Sequence, residues 1–194
     1  MLLTAYKPAA IRAETKQVEA SALRSIISGR GFMLAVAAGA VSYVVMSFVM
    51  TGTPISMHHT YGHSLVDTKW VIQSHIMAMY LPSLFSGFLI DKFGPVKIVF
   101  SGLVLMAACL VVGYIERHLM HYWVALVLLG VGWNFLFLGG TTLLTKTYTQ
   151  AERFKVQAFN DFLIFSFQAM AALGSGYLLI QFGWNWVLGF SVPW

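Results

Sequence analysis

The chain has 194 residues, 58% of them hydrophobic and only 10% charged. Soluble domains carry about 25% charged residues, so this deficit excludes an ordinary soluble globule and favours a polytopic membrane protein. The net charge of +5 does not point to nucleic acid, because the basic residues stand at the ends of apolar stretches, and the single Cys109 cannot close an intrachain disulfide.

Residues 1–30 are polar and mixed in charge, with Lys7, Arg12, Lys16, Arg24 and Arg30 beside Glu14 and Glu19. Val18, Leu23, Ile26 and Ile27 give 14–29 a weak apolar face, so this segment is expected to be a linker with a short helix lying on the membrane. A first span is predicted over 31–53, where Ala35, Gly39 and Tyr43 recur every four residues and invite close helix packing. The loop over 54–69 holds His58, His59 and His63, irregularly spaced and with only Asp67 nearby. That pattern argues for a hydrated loop rather than a zinc or copper site. The second span, 68–90, contains Pro82; a turn over 91–97 leads to a third span, 96–115. A short loop with Glu116, Arg117, His118 and His121 precedes a fourth span, 121–144. The basic loop 145–155 precedes a fifth, 156–181. A sixth apolar stretch runs over 183–194. As a helix it would rise about 18 Å against a hydrocarbon core of about 30 Å, so the last span is expected to be truncated.

Ten of the 12 Lys and Arg residues fall in the linker, the 91–97 turn and the 145–155 loop; only Lys69 and Arg117 lie on the other side. The cationic side is the cytoplasmic one, which puts the amino terminus inside. The expected architecture is an all-α, polytopic transmembrane helix bundle over 31–194, of about six spans, in a cell membrane.

The turn carries a pattern of its own. Gly87, Asp91, Lys92, Gly94 and Lys97 resemble the loop signature of the major facilitator superfamily, Gly-x-x-x-Asp-Arg/Lys-x-Gly-Arg/x-Arg/Lys. Pro95 stands where a basic residue is usual, and such degenerate copies resemble the second half of these transporters. The resemblance implies a carboxyl-terminal six-helix half and an inner gate at this turn. It further implies alternating-access movement of a small solute, and a partner bundle supplied by an amino-terminal half or a second copy. No cofactor, metal or nucleic acid is implied. The alternative is a six-helix membrane protein that does not transport, either an assembly partner or a membrane enzyme. An enzyme would need a catalytic pair at one depth; Gly174-Ser175-Gly176 lacks the first glycine of the intramembrane serine protease motif, having Leu173 there.

Polar residues within spans mark pathways or helix contacts. His75, Met79, Pro82 and Ser86 share one face of the second span, Gly130, Asn134, Thr141 and Thr145 one face of the fourth, and Gln157, Asp161, Gln168, Ala172 and Ser175 one face of the fifth. Asp161 is read either as a proton- or cation-coupling carboxylate or as a structural group, hydrogen-bonded to a neighbouring helix end or paired with a cytoplasmic Lys or Arg. His75 either titrates or is a satisfied buried histidine. The two differ in depth by roughly 15 Å at about 1.5 Å per residue, so they are not a proton-sharing pair. Asn134 and Gln168 near the midplane are solute contacts or helix-to-helix hydrogen bonds. Tyr43, Tyr80 and Trp133 are candidate aromatic walls.

Overall fold

The computed structural model describes residues 23–115, 118–182 and 186. Among them every regular element is helical. The elements are α1 (Arg30–Ile55), continued by a π-helical turn (Ser56–Thr60), then α2 (Leu65–Tyr80), α3 (Ser83–Phe93), α4 (Pro95–Ile115), α5 (Leu119–Thr145) and α6 (Arg153–Phe182). Arg30–Thr60, α4, α5 and α6 are each long and apolar enough to cross a membrane, and α2 with α3 makes a fifth span bent by 42°.

The spans match the predicted ones at most ends and depart at three places. The first does not stop before Pro54: helix runs through it to Thr60. A proline removes one ladder bond; here a wider π turn follows it, with Tyr61 N–H donating to the Ser56 carbonyl at 3.1 Å. The expected turn over 91–97 is instead a single residue. Asp91 and Lys92 belong to the last turn of α3, Gly94 alone reverses the chain at φ +84°, and Lys97 lies in the first turn of α4. A positive φ of that size is open to glycine at little cost, so one residue suffices. The second span is two helices, divided at Leu81 and Pro82. Of the expected surface helix, a helical turn over 23–27 is present, and the remainder lies outside the described residues, as does the sixth stretch apart from Trp186.

Helix α5 is the hub. Helices α1, α2 and α4 pack directly on it, and α6 packs on α1. Val45, Val49, Met106, Leu126, Leu129 and Leu136 belong to the main core; Phe32, Ala35, Leu144 and Val156 form a second one toward the 145–155 end. Small residues set the spacing. A Cβ on Gly130 would meet the His75 carbonyl oxygen at 2.7 Å, so α2 and α5 approach as they do only because that side chain is absent. The outward faces stay apolar: Leu84 and Phe88 of α3, Phe100 of α4, and Phe154, Leu173 and Ile180 of α6 are exposed. Such surface suits lipid or another helix bundle.

Candidate functional site

Three helices build one continuous cleft. Ala35, Gly39 and Tyr43 advance along α1 at four-residue spacing, and the small pair lets α5 and α6 approach. Phe137, Gly140, Thr141 and Leu144 come from α5, and Gln157, Asn160, Asp161 and Ile164 from α6; with Ala35 and Gly39 they line a cavity of about 260 Å³. Its polar wall is α6. Asp161 is exposed there, and one of its oxygens accepts from Asn160 Nδ2 at 3.0 Å. Gln157 Nε2 donates to the Tyr148 hydroxyl at 2.7 Å. A carboxylate in a span is retained only where water or a polar partner reaches it, and the open cleft meets that condition.

An aromatic cluster packs against the cleft at Phe137, one of its lining residues. Trp133 stacks on Phe137 with centroids 5.0 Å apart and planes 12° from parallel. Tyr43 meets three rings edge-on: Trp133 at 5.4 Å, Phe165 at 5.6 Å and Phe137 at 5.8 Å. Tyr80 reaches Trp133 from α2 at 6.4 Å and is itself exposed. Edge-on and offset contacts of this kind are the favourable ones for aromatic quadrupoles. Trp133 is buried, yet its Nε1–H has no hydrogen-bond partner.

The candidate polar residues divide among different places. Asp161 lines the cleft, whereas Gln168 lies about two turns further along α6 and is not among the cavity's lining residues. Asn134 is fully buried between α5 and the break in the α2–α3 span. Its Nδ2 donates to the Met79 carbonyl at 2.8 Å and to Ser83 Oγ at 2.6 Å, and its Oδ1 accepts from Ser86 at 2.7 Å. Both amide hydrogens are therefore used within the protein. His75 is likewise buried; its Nδ1 lies 2.8 Å from the Leu126 carbonyl oxygen, so that nitrogen carries the proton, and Nε2 is without a partner. The stripe of His75, Met79 and Ser86 thus meets the α5 face that carries Gly130 and Asn134. Thr141 and Thr145 bond to carbonyls of their own helix. Ser175, at the far end of the α6 stripe, donates to the Phe48 carbonyl of α1 at 2.8 Å.

At the 87–97 end, Gly87, Asp91, Lys92 and Lys97 are all exposed and Gly94 partly so. Lys92 Nζ sits 5.3 Å from the Phe93 ring and 5.9 Å from that of Phe88, a geometry that suits cation–π attraction. At the opposite end, His58 Nδ1 lies 3.0 Å from the His63 carbonyl oxygen. Among the described residues no group of three or more His, Cys, Asp or Glu is placed to hold a metal ion.

Sequence reading missed Asn160, Phe137 and Phe165. The signal for the rings was present: Phe137 follows Trp133, and Phe165 follows Asp161, by four residues, which puts each on the face of a residue already singled out.

The sequence profile of the Major Facilitator Superfamily matches residues 34–194. The riboflavin transporter RfnT of Brucella anthropi is 44% identical over 169 residues, covering 86% of this chain and 42% of that protein. Two uncharacterized MFS-type transporters of Bacillus subtilis are also similar. YddS is 37% identical over 163 residues, covering 83% of this chain and 37% of its own length. YdeG is 36% identical over 161 residues, covering 78% of this chain and 37% of its own length. The chain therefore spans less than half the length of these curated relatives. No solved structure matches it. Helices of this length and apolarity, arranged around α5, together with a profile match over most of the chain, establish that the protein belongs to the major facilitator superfamily.

Proposed function

We propose that the chain forms the carboxyl-terminal six-helix half of a secondary transporter that moves a small solute by alternating access, with the α1/α5/α6 cleft as this half's share of the solute site. The supporting observation is an exposed carboxylate, Asp161, in a cleft that a cluster of five rings reaches at Phe137. Membrane helices seldom carry an Asp unless it faces protein or water, and solute sites in such transporters lie between repeats near the bilayer midplane. The rings supply flat apolar walls, and Asp161, Asn160 and Gln157 supply hydrogen-bonding groups beside them. That combination suits a planar, polar heteroaromatic solute. The name of the 44%-identical relative makes riboflavin the first compound to test.

The second bundle comes from an amino-terminal half or a second copy. The 87–97 segment then lies on the cytoplasmic side, where Asp91, Lys92 and Lys97 take part in the inner gate, and the amino terminus is cytoplasmic in a cell membrane. The ten-to-two bias of Lys and Arg supports this orientation. The test is riboflavin uptake into proteoliposomes by the full-length transporter that contains this segment, with and without an ionophore that collapses the ion gradients. Uptake that the ionophore abolishes and Asp161→Asn weakens supports the reading. An absence of uptake for riboflavin and for other planar heteroaromatics alike counts against it.

A further inference from the structure

We propose that Asn134, Ser83 and Ser86 form a reversible latch that sets the angle of α3 against the bundle, which makes Asn134 a positioning residue. The latch's part in gating rests on the transport reading above; the latch itself does not.

The two halves of the bent span are held very differently. Helix α2 is fixed to α5 at three successive levels: His75 Nδ1 on the Leu126 carbonyl, the tight approach at Gly130, and Asn134 Nδ2 on the Met79 carbonyl. Helix α3 has only two buried residues, Ser86 and Ile90. Leu84, Phe85 and Phe88 are exposed by 64% or more. The break between the halves contains Pro82, which has no N–H to carry the ladder across. At its other end α3 stops at Gly94, where φ is +84°. Helix α3 is thus a short rigid lever between a gap in the helical hydrogen-bond ladder at Pro82 and the glycine reversal at Gly94, and Asn134 is the polar group that ties it down beside the Pro82 break.

The hydrogen bonding makes that tie reversible. Ser86 Oγ lies 2.7 Å from Asn134 Oδ1 and 2.7 Å from the Pro82 carbonyl oxygen of its own helix. A hydroxyl has one proton and serves one acceptor at a time. When α3 swings away from α5, that proton passes to Pro82 and Ser86 stays satisfied. Asn134 keeps its bond to Met79 throughout. Opening therefore costs Ser86 no hydrogen bond, and the penalty that locks most buried polar contacts falls on Asn134 alone, which gives up its bond to Ser83 Oγ and the one it accepts from Ser86. A leucine at 134 would pack the same space but would give α3 nothing to return to.

The experiment uses the chain in lipid nanodiscs with spin labels at Phe88→Cys on α3 and Val104→Cys on α4, both exposed sites. Cys109 is fully buried and stays unlabelled. A control pair, Val66→Cys and Val124→Cys, reports α2 against α5. Wild type is expected to show one dominant 88–104 distance. In Ser86→Ala a second, more distant population should rise roughly tenfold, the change expected when a hydrogen bond or two of ordinary net strength is lost. Asn134→Leu should do the same, Ser86→Thr should restore the wild-type distribution, and the control pair should not move. No change in Ser86→Ala, or one uniformly shifted distance, would overturn the latch. So would a change in the control pair, since the knot would then merely hold the fold together. Because no solute is present, the result stands apart from that of the uptake assay.

Discussion

Gly102 of α4 and Gly132 of α5 lie against each other's backbone. A Cβ on Gly102 would stand 2.9 Å from the Gly132 carbonyl oxygen, and one on Gly132 would stand 3.0 Å from the Gly102 carbonyl oxygen. The contact is reciprocal, so neither helix can yield by turning a side chain aside. Gly102→Ala would also press on the Leu136 backbone nitrogen at 2.9 Å. We expect it to destabilise the bundle by about 1–3 kcal/mol, the usual cost of overpacking a close-packed contact. Unfolding of the chain in mixed micelles, followed by circular dichroism, measures this directly. A variant as stable as the parent would show that α4 is not seated on α5 as described.

The two glycines of the 87–97 segment are expected to behave oppositely. Nothing lies within 4 Å of a Cβ built on Gly87, and its backbone is ordinary helix. Gly87→Ala should leave stability unchanged or raise it by up to about 1 kcal/mol through helix propensity. Gly94 also has open space around it, but its backbone sits at φ 84° and ψ 151°, a region nearly closed to other residues. Gly94→Ala should cost about 1–3 kcal/mol. If Gly87→Ala lowers uptake by the full-length transporter while stability holds, the glycine serves contacts to the other bundle. Loss of stability in Gly87→Ala would contradict the open environment seen here.

These contrasts mark how far sequence alone reaches. Span positions were legible because apolar length and charge placement are one-dimensional signals. Tyr43, Tyr80 and Trp133 are candidate aromatic walls from the sequence, and Tyr43 and Tyr80 do each meet the Trp133 ring edge-on, but no spacing in the sequence puts the three on one face. What Asn134 touches was not legible. Its partners Met79, Ser83 and Ser86 are about 50 residues distant in sequence, and a polar residue at midplane depth reads the same whether it meets a solute or a broken helix. The single-residue reversal at Gly94 was hidden for another reason: Asp91 and Lys92 look like loop residues by polarity, yet a helix end that reaches water can carry them within its last turn.

If the α1/α5/α6 cleft holds the solute as proposed, the ring cluster predicts a graded loss of solute affinity. Phe137 borders the cavity and carries the stack with Trp133, so Phe137→Ala removes a flat wall without touching the carboxylate. Aromatic pairs contribute about 0.5–1.5 kcal/mol beyond area burial. The KM of the full-length transporter for a planar heteroaromatic should therefore rise roughly 2- to 10-fold, with Phe137→Tyr near wild type. Asp161→Asn acts on the polar edge instead and should keep the stacking but lose selectivity for solutes bearing N–H donors. Equal KM values for Phe137→Ala and the parent would remove the ring cluster from the solute site.

The Glu152 side chain caps the turn that leads into α6 by holding Thr149, and the pH dependence of that cap has a definite sign. The Glu152 carboxylate accepts from the Thr149 backbone N–H at 2.9 Å and from the Thr149 hydroxyl, closing the turn just before α6. Those hydrogen bonds, first the hydroxyl's and then the backbone's, hold the Glu152 carboxyl below its ordinary value. A carboxyl depressed in the folded state contributes stability above its unfolded pKa and loses that contribution as pH falls through the folded one. At neutral pH the cap is fully formed, and Glu152→Gln should lower the unfolding midpoint of the chain in detergent. As pH falls from the ordinary glutamate range to below the depressed value, the gap between parent and variant should close. The parent itself should lose stability over that interval, while the variant's cap, having no carboxyl, should not respond. A gap that stays constant from pH 7 down through the carboxylate range would mean the Thr149–Glu152 pair is not formed by the ionised side chain.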